Sequence, residues 1–272
     1  MAENSNEMSF LDHLEELRWH LIRSTLAIVI IASVAFIAKD FIFDTILFGP
    51  KKIDFFTYEL FCNLSKSLGQ GNSLCIDEMP FRIQSRTMSG QFSAHLWTSL
   101  TAGFIIAFPY ILFEFWRFIS PGLHESERKN ARGFIFIASI LFFIGVLFGY
   151  YIVTPLSINF LGNYTVSSEV FNDFDLSSYI SLLRASVLSS GLIFELPILM
   201  YFLTKIGLVT PMFLKNNRKF AIVIVLILSA VITPPDIASQ VIVTIPILIL
   251  YEVSIFISKV VYNRQQKELK NA

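Results

Sequence analysis

Long uncharged runs of apolar residues, set between short polar segments, make up most of this chain. The first covers about 20–38 (HLIRSTLAIVIIASVAFIA), with Arg23 near its start placed to snorkel toward an interface. Phe92–Phe113 is a second, uncharged and interrupted by Pro109. A third lies within Gly133–Phe160 and ends near Pro155, giving a span of about 133–155. The fourth is 185–204, the fifth 220–233, and the sixth about 238–258, which contains Gln240, Pro246 and Glu252. An apolar helix of about 20 residues crosses the roughly 30 Å hydrocarbon core of a bilayer. The pattern therefore predicts an all-α integral membrane protein with six transmembrane helices. They form a single membrane domain over 1–272, with an extended loop, 43–91, between the first two spans.

The fifth run is short. Between Lys219 and the Pro234–Pro235 pair it has only 14 residues, about 21 Å of helix at 1.5 Å per residue. Either the bilayer thins around it or it does not cross fully. Thr-Pro-Pro-Asp-Ile (233–237) leaves almost no connection, so spans five and six form a tight hairpin; a re-entrant pair is the competing reading.

Basic residues near the span ends set the orientation. Segment 117–132 holds Arg117, Arg128, Lys129 and Arg132, and segment 205–219 holds Lys205, Lys215, Arg218 and Lys219. The tail adds Lys259, Arg264, Lys267 and Lys270, whereas 155–178 and the 234–237 turn have none. Both termini are expected on the cytoplasmic side. The long first loop, with Lys51, Lys52, Lys66, Arg82 and Arg86, departs from the rule, which long loops obey poorly.

Composition agrees: 54% hydrophobic residues, 28 Phe and a mean hydropathy of +0.62. Lys+Arg and Asp+Glu balance at 21 each, so net charge points to no partner, nucleic acid included. The first twenty residues are polar and acidic, unlike a cleavable signal, so the first apolar run is expected to be retained. The two cysteines, Cys62 and Cys75, lie in the long loop. On an oxidising outer side a 13-residue separation suits a structural disulfide; free thiols are the other reading.

Catalytic and cofactor motifs are missing. No HExxH, GxGxxG after a strand, GxSxG or phosphate loop occurs, and His13, His20, His95 and His124 show no metal-ligand spacing. No enzyme, cofactor or metal is expected, and His95 reads as an interface residue. The halves show no repeat, which weakens an inverted-repeat carrier. One acid interrupts span four: Glu195, near the midplane, with Pro197 freeing a backbone carbonyl beside it. It reads either as a neutral side chain bonded to a neighbouring helix or as a functional polar point.

Charge also gathers at the cytoplasmic rim. His13-Leu-Glu-Glu-Leu-Arg18 leads into span one as an amphipathic start. Leu14 and Leu17 share one side, leaving Glu15, Glu16 and Arg18 toward solvent or headgroups. Phe118-Ile-Ser-Pro-Gly-Leu123 and His-Glu-Ser-Glu-Arg-Lys129 follow span two. Ordinary solvated interface charge is the plain reading of both.

These segments together resemble the TatC family, the multi-spanning core of the twin-arginine protein translocase. The likeness rests on HLEELR at 13–18, FPYILFEFWRFISPGL at 108–123, and Glu127-Arg128-Lys129. It continues through FELP at 194–197, TPPD at 233–236 with Gln240, and Pro246 with the Glu252 segment. It implies a cupped six-span bundle, N-in and C-in, with short fifth and sixth helices, in a bacterial-type inner membrane. It also implies a receptor and scaffold for twin-arginine signal peptides on folded cargo. Single-span partners of the TatA/TatB type would join it among membrane lipids, in a hetero-oligomer of several copies driven by the proton motive force. A proton-coupled small-solute carrier titrating Glu195 is the alternative.

Residue by residue, Glu16 and Glu127 match the family's acidic recognition positions, and Glu15 leaves open which acid of the pair faces the peptide. Arg18 is expected to position Glu16 through a local ion pair, and Phe118 to pack against the peptide. Glu195 matches the acid of the concave face, and Thr233 and Gln240 the partner-helix docking region. Glu114, a further acid in span two, is expected to snorkel in a structural role. The 51–90 loop is longer than many relatives carry.

Overall fold

The computed structural model of the chain describes residues 10–119 and 131–271, apart from 68, 70, 72–74, 77 and 78. Backbone contacts divide it into two compact units, Met1–Lys39 with Phe92–Ile140, and Asp40–Gln91 with Leu141–Ala272.

In the first unit helix α1 (Phe10–Ile37) packs on helix α3 (Gly90–Ile119). The approach is close because Gly103 faces α1: a Cβ there would sit 2.6 Å from the Ile28 carbonyl oxygen and 2.9 Å from Ala32 Cβ. Small residues at such a crossing let backbones meet where lipid offers no hydrophobic drive. His95 closes the far end of the pair, its ring stacked 3.7 Å from Phe36 and its Nε2 2.9 Å from the Phe36 carbonyl oxygen. Near the other end Trp116 lies buried against Phe134 of helix α4 (Ala131–Phe148).

The second unit begins with a π-helical turn (Phe41–Leu47) and a 3-10 turn (Gly49–Lys51). Helix α2 (Phe56–Ser67) and strand β1 (Arg82–Gln84) follow within what the sequence presents as loop. After α4 come a π-helical turn (Gly149–Val153), α5 (Thr154–Asn163) and strand β2 (Asp173–Asp175). β1 and β2 pair in parallel, Arg82 opposite Asp173 and Gln84 opposite Asp175. Arg86 secures the pair, its guanidinium donating to the Asp173 carbonyl (2.8 Å) and its amide to Asp175 Oδ1 (3.1 Å).

Helices α6 (Leu176–Phe194), α7 (Leu196–Lys205), α8 (Pro211–Asn216), α9 (Arg218–Ile232) and α10 (Ile237–Asn271) complete the chain. Their core gathers Val153, Val225, Val243 and Ile247, with Phe148, Ile193 and Leu196 packed around them. Gly149 fits against α6, where a Cβ would lie 2.7 Å from the Ser186 carbonyl oxygen. Buried hydroxyls tie the remaining helices: Thr204 Oγ1 donates to Ser258 Oγ (2.7 Å), and Ser229 and Thr244 share a 2.8 Å bond.

Among the described residues, five helical segments are long and apolar enough to cross a membrane: Leu14–Ile37, Gly90–Ile119, Gly133–Asn163, Leu176–Lys205 and Ile237–Lys267. Helix α9, the fifth apolar run, has 15 residues, about 22 Å of helix, and falls short of that length. Two boundaries differ from the expected ones. The third segment continues past Pro155, because Pro155 sits in the first turn of α5, where its missing N–H costs nothing. The fourth begins nine residues before 185, at Leu176, so it includes Arg184. The sixth helix is not short. α10 runs 35 residues because the polar tail continues it, and Gln265 Nε2 on that tail donates to the Lys205 carbonyl (2.8 Å).

Candidate functional site

One side of α1 carries Glu16, His20 and Arg23, spaced i, i+4, i+7, so an otherwise apolar helix has a polar stripe at its N-terminal end. The amphipathic expectation holds for Glu15 and Arg18, which are exposed, and is reversed for Leu14 and Glu16. Leu14 is 44% exposed, whereas Glu16 is half-buried and its Oε2 is enclosed. A bilayer accounts for the reversal: leucine belongs toward lipid, and polar groups turn toward protein. Glu15 is exposed, so of the two acids Glu16 is the one turned inward.

The stripe meets α3. His20 is buried, and its Nδ1 stands 2.5 Å from Oε2 of Glu114, itself only 1% exposed. Glu114 therefore does not snorkel. Arg23 approaches the same oxygen at 3.9 Å and Arg117 the other oxygen at 3.7 Å, both from half-exposed positions. The His20 ring meets Phe118 edge-on at 6.2 Å, which places the aromatic next to the stripe. Sequence reasoning missed the His20–Glu114 pair, although the i, i+4, i+7 polar spacing on α1 signals it.

Glu16 Oε2 makes no hydrogen bond among the described residues. A buried acceptor without a donor is uncommon and costs free energy until one arrives. Arg18 does not supply it. It is exposed and forms no ion pair with Glu16 among the described residues, since residues two apart lie on opposite sides of a helix. Glu127, the other expected recognition acid, lies outside the described residues.

Two further candidates belong to the second unit. Glu195 interrupts the helix between α6 and α7, with Pro197 in the next first turn. Its carbonyl accepts from the amides of Ile198 (3.0 Å) and Leu199 (2.9 Å), while side-chain Oε1 is buried without a partner among the described residues. At the α9–α10 turn, Thr233 Oγ1 donates to the Ser229 carbonyl (2.8 Å) and Gln240 Nε2 to the Leu226 carbonyl (3.1 Å). Both side chains thus brace the hairpin. Asp236 caps α10, accepting from the Ser239 amide (2.8 Å) and hydroxyl (2.7 Å). Partial burial opposes its ionisation, but the bonds from Ser239 and from the Ala238 amide outweigh it and hold its carboxyl below the usual range. Cys62 and Cys75 are joined as a disulfide.

The family profile described as Sec-independent protein translocase protein (TatC) matches residues 12–246. A TatC protein of Blattabacterium sp. subsp. Periplaneta americana is 49% identical over 95% of this chain and 97% of its own length. One from Aquifex aeolicus is 35% identical over 97% of this chain and its full length. A crystal structure described as the twin arginine translocase receptor TatC superposes with a TM-score of 0.67. It shares 34% identity, covering 92% of this chain and 99% of its own.

Proposed function

The chain belongs to the TatC family of Sec-independent protein translocase proteins, and within that translocase we propose that it is the receptor for twin-arginine signal peptides. It is a membrane component of the Tat protein-export pathway. The observation that carries the receptor reading is the Oε2 of Glu16 at the end of α1, enclosed and without a partner among the described residues. A guanidinium supplies the donor this oxygen lacks and engages a carboxylate through two parallel N–H···O bonds. A lysine ammonium cannot reproduce that planar fork. Glu16 and Glu127 each take one arginine of the pair, and Phe118, docked on His20, offers an apolar ring to the adjoining peptide. Arg18, on the outer side of α1, faces acceptors that flank the pair.

In this reading the protein crosses the bacterial inner membrane six times, with α9 in a thinned bilayer and both termini cytoplasmic. The Cys62–Cys75 bridge favours an oxidising environment for its side of the membrane. It is a scaffold, not an enzyme. Single-span proteins of the TatA/TatB type dock along the α9–α10 hairpin near Thr233 and Gln240, and the proton motive force drives transport of folded cargo. Glu195, whose buried Oε1 has no partner among the described residues, is a contact for an incoming helix.

Retention of peptide by detergent-solubilised protein tests the receptor reading. A twin-arginine peptide is expected to be held and its twin-lysine counterpart released. Equal release of both, with solute-dependent proton uptake by the protein alone, would overturn it.

A further inference from the structure

Three strips run along the twelve residues of α2. Thr57, Tyr58 and Ser65 are buried against the chain. Phe56, Leu60 and Leu64, spaced i, i+4, i+8 and preceded by Ile53, form an exposed apolar strip. Glu59, Asn63 and Lys66 form an exposed polar strip beside it. At about 100° per residue the three occupy successive sectors of the helix. One is committed to protein, the next is apolar and uncovered, and the last is wettable.

The buried strip fixes the height of the helix. The Thr57 hydroxyl donates to the Tyr151 carbonyl, and the Tyr58 hydroxyl donates to the carbonyls of Pro50 (2.7 Å) and Pro155 (3.2 Å). Tyr151 and Pro155 both belong to Gly133–Asn163, a segment long and apolar enough to span a membrane. Aromatic rings surround the junction: Phe55 stacks on Tyr151 at 5.6 Å, and Phe56 meets the same ring edge-on at 6.1 Å. The Tyr150 hydroxyl donates to the Ile46 carbonyl and the Tyr179 hydroxyl to the Leu47 carbonyl, both at 2.8 Å. Tyrosines concentrate where hydrocarbon meets headgroups. A helix bolted to this level by its polar side chains holds the adjoining apolar strip at the same level. The Cys62–Cys75 bridge fastens its second half as well.

We propose that α2 is an interfacial helix whose Phe56–Leu60–Leu64 strip rests in the headgroup–acyl boundary of the bilayer, a lipid surface being its occupant. The proposal relies on the membrane reading of the long helices. Charge suits the assignment. Lys51 and Lys52 precede the helix and Lys66 closes it, so cations stand at both ends to meet anionic headgroups while their stems reach over the apolar strip. This also gives Lys51, Lys52 and Lys66 of the long loop a place that the orientation rule does not.

The test places an environment-sensitive fluorescent amino acid at position 60, 66 or 249 of the full chain. Each variant is reconstituted alone in phosphatidylethanolamine–phosphatidylglycerol vesicles. Position 249 is an exposed residue well inside α10 and reports on the membrane reading itself. The expected result at 60 is a blue-shifted emission, lost to nitroxide-labelled lipids and spared by aqueous iodide, with the reverse pattern at 66. Iodide quenching at 60 without lipid quenching would overturn the proposal. Protection of 60 from both quenchers would overturn it too, assigning the strip to a second copy of the chain. No lipid quenching at 249 would bring down the membrane reading and the proposal together, whereas quenching at 249 but not at 60 refutes the proposal alone.

Discussion

His20 Nδ1 and Glu114 Oε2 stand 2.5 Å apart, although 94 residues separate them in the chain. This contact locks α1 to α3 one turn beyond Glu16 and so fixes the direction in which the carboxylate proposed for recognition points. Removing Glu114 strands a buried imidazole, at a cost of about 1–3 kcal/mol for the lost acceptor. Glu114→Ala is therefore expected to lower the unfolding temperature in detergent and to weaken twin-arginine peptide binding. Glu114→Gln keeps an oxygen that can accept from His20 and should recover most of both. Unchanged unfolding in the alanine variant would contradict the role given to this pair.

Asp236 gives the α9–α10 hairpin an acid-sensitive hinge. Its folded pKa lies below the ordinary carboxylate value, so its stabilisation is fully present above the unfolded pKa, about 4. It is lost as pH falls through the lower folded pKa. The opening free energy at the amides of Ala238–Gln240, from hydrogen exchange corrected for its intrinsic pH dependence, should be flat from neutral pH to about 5 and fall below about 4. Asp236→Ala should cost about 1 kcal/mol as a lost helix cap and abolish the acid limb. Persistence of that limb in the variant would assign it to another group.

Glu195 separates two chemistries. Gln preserves its size and hydrogen bonding without the possibility of charge, while Leu preserves neither. A docking contact for an incoming helix predicts that Glu195→Gln retains export of a twin-arginine reporter and Glu195→Leu abolishes it, at equal protein levels. A titrating proton site predicts that both fail. The first pattern is expected.

The Cys62–Cys75 bridge closes a loop across 13 residues. In the chain-entropy account, opening it costs roughly 3 kcal/mol of local stability. Cys62→Ser or Cys75→Ser should make the 53–91 region sensitive to limited proteolysis while the long helices resist. Equal resistance of variant and parent would show that the hydrogen bonds of Thr57 and Tyr58 suffice.

The apolar runs are legible because a bilayer demands an unbroken helix of fixed length, and Glu195 stands out as an acid near the middle of such a run. Glu114 was misread. Near a span end a charged residue looks like a snorkeller, and only the register of α1 against α3 reveals His20 beside it. α2 carries its apolar spacing openly at 56, 60 and 64. Yet its twelve residues are held by bonds to Tyr151 and Pro155, partners that no local pattern indicates. The β1–β2 pairing, three residues a side, is equally non-local. Arg18 and Glu16 are two apart in a helix, and that spacing alone argues against the ion pair expected between them.

A double-mutant cycle between Glu16 and the first arginine of a signal peptide tests the account most directly. Binding is measured for parent and Glu16→Gln protein, each with the native peptide and with that arginine changed to lysine. A charge-assisted fork between the two predicts a coupling energy of about 1–3 kcal/mol. Once Glu16 has lost its charge, the lysine peptide should bind nearly as well as the native one. Additive effects, with coupling below about 0.5 kcal/mol, would mean that Glu16 and the arginine do not meet, contradicting the site assigned to this rim.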